Sequence, residues 1–280
     1  MRAGRTTRTT RPSIGGVHNQ ILDPRPPTRI ERALGHQRAA SSVLLVLLPL
    51  VCWSWIVVMA RDMYGPMTGA SAWMMTLHWD LSHLLLLWAM WAVMMIGMML
   101  PSAAPLVLLY GAAARRSAPR TAARHIYALA GGYLAAWTAF SLGATALQRA
   151  LASLLLLSPM METANSRVTA ALLLVAGIYQ WTPLKHACLR TCQSPVNFLI
   201  GRWRAGEDGA FRMGLEHGIS CVGCCWALML LLFAGGVMNV TVIVVLTAFV
   251  AFEKLVPLGR VGASISGALM IAAGCWMLVR

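Results

Sequence analysis

The stretch HGISCVGCC, residues 217–225, places one imidazole and three thiols within nine residues. His217, Cys221, Cys224 and Cys225 stand at i, i+4, i+7 and i+8, which is one stripe on one face of a helix. A second group, KHACLRTC, supplies His186, Cys188 and Cys192, with its two cysteines again i, i+4 apart. Imidazole and thiolate suit zinc or a soft cuprous ion, and a tetrahedral site needs four such groups. Placed at the start of a helix, these thiols would ionise more readily in the field of the helix dipole. Metal binding would drive the deprotonation further. The competing reading takes cysteine as a small buried hydrophobe, which suffices for Cys52 and Cys275.

Acids are scarce, only nine Asp and Glu in 280 residues. Glu216 and Glu253 fall at the expected ends of apolar helices, where a carboxylate is costly unless it pairs or serves a site. Glu253 has three readings: an ion pair with Lys254, a partner that orients His217, or a direct ligand. Glu216 reads as a helix-start residue or a site residue.

A different donor type gathers elsewhere. Ten of the 18 methionines fall between Met59 and Met99, and Met90, Met94, Met95, Met98 and Met99 make i, i+4 stripes. Thioethers favour cuprous copper and need no deprotonation, although methionine is equally an ordinary filler of apolar gaps. His78, Asp80 and His83 stand at the entrance to the same helix, with Asp80 also placed to cap it. With Met94 and Met98 these form a weaker, outer set of metal candidates.

Positioning all of this is an apolar chain. It is 58% hydrophobic and 11% charged, with a mean hydropathy of +0.66. A soluble chain would carry about 25% charged residues. Apolar runs of bilayer length lie at approximately 43–60, 83–110, 126–148, 168–184, 215–234, 237–256 and 261–279. The expected fold is therefore all-α, a polytopic transmembrane helical bundle of about seven spans. Pro101 and Pro105 should kink or end the second span early. Glycines 262, 267 and 274 in the last run would support close helix packing.

The net charge of +14 does not point to nucleic acid, because of where it lies. Residues 1–42 carry eight of the 23 Lys and Arg and read as a disordered Arg-rich cytoplasmic tail against anionic lipid, ahead of a transmembrane domain at 43–280. The run Val43–Ala60 is long for a signal peptide and reads as a retained anchor. With the N-terminus cytoplasmic, 19 basic residues lie inside and four outside, as positive charge should. That orientation sends both Cys/His groups to the cytoplasmic face of a cell inner membrane.

The strings MMLPSAAPLVLLY, YQWTPLKHACLRTCQSPVNFL and MGLEHGISCVGCCWALMLLLFAGGVMNVTVIVVLTAFVAFEKLVPLG resemble a bacterial family described as predicted metal-binding integral membrane proteins. Some of its members carry the label of copper chaperones. The likeness runs from about residue 43 to the C-terminus. It marks Pro101, Pro105, Pro183, Lys185, Asn239 and Lys254 as motif positions. As candidate functional residues it implies Cys188, Cys192, His217, Cys221, Cys224, Cys225 and Glu253, and it does not single out His186.

Three functions compete. The first is binding of a thiophilic metal ion, copper before zinc, for delivery or transport, with a donor or acceptor protein as partner. The second is a membrane thiol–disulfide oxidoreductase using Cys221-x-x-Cys224, with Cys188 and Cys192 as its partner pair. A cytoplasmic, reducing location counts against that one. The third is a non-catalytic subunit of a membrane complex. No nucleophile–His–Asp set, phosphate loop or H-E-x-x-H motif appears, so enzyme activity is left open without a candidate.

Overall fold

A computed structural model describes residues 41–65, 80–158, 161–163, 165–256 and 259–279. The Arg-rich tail up to residue 40 and His78 lie outside the described residues. After a π-helical turn at Val43–Leu47 come α1 (Leu48–Met63), α2 (Leu81–Met99), α3 (Ala104–Ser117) and α4 (Ala122–Ser153). Then follow α5 (Ser166–Gln180), α6 (Pro183–Gln193), α7 (Pro195–Arg202), α8 (Gly206–Met229), α9 (Leu231–Gly235), α10 (Val240–Leu255) and α11 (Gly259–Val279). Among the described residues there is no strand, only one isolated bridge between Leu157 and Thr163.

The ends of these helices follow from local chemistry. The side chains of Asp80, Asn165, Thr182 and Asn239 each accept a hydrogen bond from an amide of the first turn. Pro101 has no amide hydrogen, so α2 stops at Met99 and the chain makes one 3-10 turn over Pro101–Ala103. Pro105 then sits in the first turn of α3, where its missing N–H costs nothing. The expected single run at 83–110 is thus two helices.

Among the described residues, four helical segments are long and apolar enough to cross a membrane: Val43–Met63, Leu81–Met99, Gly206–Gly235 and Val261–Val279. The other three expected spans correspond to α4, α5 and α10. Helices α5 and α10 have 15 and 16 residues, or about 22–24 Å at 1.5 Å each, short of the roughly 30 Å hydrocarbon core. The 32 residues of α4 are long enough, but the glycines, tyrosines, tryptophan, serine and threonines between Ile126 and Leu147 dilute their apolarity. One boundary also moves. The fifth expected span began at 215, whereas α8 begins at Gly206, with Glu207 and Asp208 in its first turn complementing the dipole.

Two glycine seams hold the bundle. A Cβ added at Gly214 of α8 would collide with the carbonyl oxygen of Leu129, and one at Gly132 of α4 with that of Phe211. At Gly218 it would stand 2.7 Å from the Cβ of Ala136. Only hydrogen at these positions lets α4 and α8 approach backbone to backbone. The second seam joins α5 to α11. A Cβ at Gly177 would lie 2.8 Å from the Gly267 carbonyl oxygen, and one at Gly274 3.0 Å from that of Ala170. The C-terminal glycines therefore serve packing within this chain.

Gly214→Val should abolish monodisperse folding in detergent or lower stability by at least about 1–3 kcal/mol. Gly143→Ala, where a Cβ meets nothing within 4 Å, should be neutral or slightly stabilising. Thermal unfolding of the two purified variants checks the contrast.

A buried thiol cluster as the candidate metal centre

Helix α6 lies against α8 and brings both cysteine groups together. Cys221, Cys224 and Cys225 are buried, while Cys188 and Cys192 are partly buried against them. The Cys192 and Cys224 sulfurs are 3.9 Å apart, and those of Cys224 and Cys225 are 3.2 Å apart. The Cys224 thiol donates to the Cys221 carbonyl oxygen at 3.1 Å. Gly223 admits Cys188, whose sulfur stands 2.7 Å from the place a Cβ would take. Tyr179 donates its hydroxyl to the Gly223 carbonyl on the same turn. Burial pushes the Cys188 thiol up from its ordinary value.

The early start of α8 changes the electrostatic picture drawn from sequence. Cys221 is 15 residues beyond Gly206, about 22 Å along the axis. Dipole stabilisation fades within the first turn, so it does not reach these thiols. Nor do the thiols form a surface group; three of them are sealed in the bundle core.

Their nearest charged neighbour is Lys254 of α10, itself 6% exposed. Its Nζ donates to the Cys221 sulfur at 2.9 Å and to the Ser102 hydroxyl at 3.0 Å, with the Met99 sulfur at 4.0 Å. Tyr133 places its hydroxyl 3.0 Å from the same Cys221 sulfur and donates to the Met99 carbonyl at 2.9 Å. Ser102 donates to that carbonyl as well. A buried ammonium is thus surrounded by thiol, thioether and hydroxyl.

Glu253 does not pair with Lys254. Successive residues of a helix point about 100° apart, and the Glu253 carboxylate meets Lys185 of α6 at 2.7 Å, with side chains 6% and 0% exposed. Gln180 donates to its other oxygen at 3.2 Å, and Gln193 to its carbonyl at 2.8 Å. Glu216 points away from the cluster and binds Arg202 at 2.9 Å and Arg204 at 2.7 Å. His217 is buried, with its ring 6.0 Å from Tyr133 and 5.1 Å, edge-on, from Phe198. Its Nδ1 has no hydrogen-bond partner among the described residues. Cys52 is buried as expected, but Cys275 is exposed.

Met90, Met94, Met95, Met98 and Met99 are all buried along α2, which ends against Lys254 through Met99. At the other end Asp80 caps the helix by accepting from the His83 amide at 3.0 Å. Asp80 is exposed and His83 buried. The thioether stripe therefore covers the half of α2 from Met90 to Met99, next to the thiol cluster, and the other half carries His83.

Among the described residues no three His, Cys, Asp or Glu side chains already stand together as a group able to hold a metal ion. The donor set fits a soft ion nonetheless. Two sulfurs bound at about 2.3 Å in tetrahedral geometry lie roughly 3.8 Å apart, close to the Cys192–Cys224 separation of 3.9 Å. A third donor must turn, because Cys221 is held by Lys254 and Tyr133. Sequence reasoning missed Tyr133 and Ser102 altogether. Lys254 was visible as a cation in an apolar helix, where an unexplained charge itself signals a site.

Residues 88–277 match a family model described as PpoB2, copper chaperone. The match starts within α2, spans the whole thiol cluster and omits α1. No curated protein and no solved structure matches the chain.

Breaking the Lys185–Glu253 pair on one side should strand a buried charge. Glu253→Leu or Lys185→Met alone should destabilise the protein by about 3–5 kcal/mol, whereas the double replacement should recover most of that loss. Thermal unfolding of all three variants in detergent makes the comparison.

Proposed function

The chain belongs to the copper chaperone family, and on that premise we propose that it is a membrane protein that takes up cuprous copper as cargo on its buried thiols. Two of the thiols of Cys192, Cys221, Cys224 and Cys225 bind the ion as thiolates at any one position, with the remaining thiols, Cys188 and His217 as neutral donors that complete the shell as the ion moves. The observation that carries this reading is the convergence of five thiols from two helices, three of them buried and two partly buried, beside a buried lysine.

That lysine favours copper over zinc. A cuprous ion on two thiolates keeps one net negative charge, and burying it uncompensated costs several kcal/mol. The Lys254 ammonium, 2.9 Å from Cys221, balances it. A divalent ion on two thiolates is already neutral, and the same ammonium would become the uncompensated charge. Glu253 supports the cluster by holding Lys185 on α6, and does not itself bind the cargo. Met99, Met98, Met95, Met94 and Met90 offer neutral, soft handholds along α2, towards His83 and Asp80.

The proposed setting is the bacterial inner membrane with the N-terminus in the cytoplasm, so that the thiol end faces the reducing side and the Asp80 end the other. The cargo is then delivered to, or received from, a partner protein. The thiol–disulfide reading keeps one point in its favour. Cys224 of its C-x-x-C lies 3.9 Å, sulfur to sulfur, from Cys192 of the second cysteine group.

Metal analysis of reduced, anaerobically purified protein should find about one copper per chain. Cys221→Ser/Cys224→Ser should lose it. Lys254→Met should keep the fold but lose at least about tenfold in cuprous affinity, roughly 1.4 kcal/mol, and bind zinc no worse. Folded, metal-free wild type with a readily cycled disulfide would favour the redox reading.

A further inference from the structure

A polar cleft of about 590 Å³ opens where α6, α7 and α8 meet, within the roughly 300–1,000 Å³ of small-molecule sites. We propose that this cleft binds a small anionic thiol carrier of the cuprous ion, and that the ion passes from the carrier to the buried thiols beside His217. The inference rests on the copper reading and adds the class of donor.

Charge selects an anion. Arg202 and Arg204 both bind Glu216, and Arg190 lines the cleft without an ion pair among the described residues. Two guanidinium groups, of Arg190 and Arg202, thus line the cleft with one carboxylate, and that carboxylate is already also paired with Arg204. Their planar forks suit the carboxylates of a small peptide or acid. Ser194, Asn197 and Ser220 add hydrogen-bonding groups to the walls. Softness selects a thiol, because the carrier must hold a cuprous ion without oxidising or precipitating it.

Position supplies the path. Phe198 is both a wall of the cleft and the edge-on neighbour of His217. Behind it lies the buried Nδ1 of His217, without a hydrogen-bond partner. Tyr133 then bridges the short remaining distance, touching His217 on one side and the Cys221 sulfur on the other. The transfer is a ligand exchange with no change of oxidation state. A bond from copper to the carrier sulfur breaks, one to a protein sulfur forms, and the proton of the receiving thiol leaves with the carrier.

The test compares rates of anaerobic copper loading into the full-length protein from two probes: cuprous glutathione, which is anionic, and the cuprous acetonitrile complex, which carries no carboxylate. Arg190→Glu should slow loading from glutathione at least tenfold and change loading from acetonitrile less than twofold. Gly201→Phe should also slow the glutathione route. Gly201 lines the cleft and a Cβ there meets nothing within 4 Å, so a ring is accommodated at the cleft wall without disturbing packing. Unchanged glutathione rates in both variants, or equal slowing with both probes, would overturn the carrier site and leave the copper reading standing. If wild-type protein loads from neither probe, the copper reading fails and takes this inference with it.

Discussion

A lysine ammonium held out of water is the constraint around which this bundle is organised. The chain buries two of them, Lys185 and Lys254, at 0% and 6% exposure. An isolated buried charge costs far more than any single contact returns, so each needs a dedicated partner. Lys185 has the Glu253 carboxylate. Lys254 has no carboxylate partner among the described residues; it rests on the Cys221 sulfur and the Ser102 hydroxyl. This asymmetry makes the second lysine the informative one. A pair closed by a carboxylate is a structural tie, whereas the second ammonium touches the thiol cluster itself.

The two pairs also explain why α10 carries adjacent charges of opposite sign that ignore one another. A 100° turn between Glu253 and Lys254 aims one at α6 and the other at the junction of α2, α4 and α8. The short helix α10 thus fastens α6 and completes the floor of the thiol cluster in one turn. The break at Pro101 contributes to the same place. It presents the Met99 carbonyl, which the helix cannot use, and Tyr133 and Ser102 both donate to it.

Close helix approach keeps the cluster dry. Backbone contact between α4 and α8 through Gly132, Gly214 and Gly218 brings Tyr133 within reach of both Cys221 and His217. Side chains on this seam would push Tyr133 away and open the interior. In a membrane such a seam gains little from the hydrophobic effect, so fit and polar contacts carry the association. Fold and site therefore draw on the same residues.

By itself the sequence determined the all-helical class, the break at Pro101, the one-faced stripe from His217 to Cys225 and the thioether stripe of α2. Each is a local consequence of helical periodicity or of the missing proline amide, and needs no knowledge of neighbours. It also marked both cysteine groups, and residue spacing could go no further. The start of α8 at Gly206, with Glu207 and Asp208 in its first turn, is also a local signal, obscured by the apolar run that begins later; tertiary structure alone decided that Glu253 turns to Lys185. It also decided that Lys254, Tyr133 and Ser102, from three separate segments, meet at Cys221. Those outcomes depend on which helix faces are pressed together and how closely. Here that was settled by the glycine seams and by the need of each buried charge for a partner, both of which act between residues far apart in the chain.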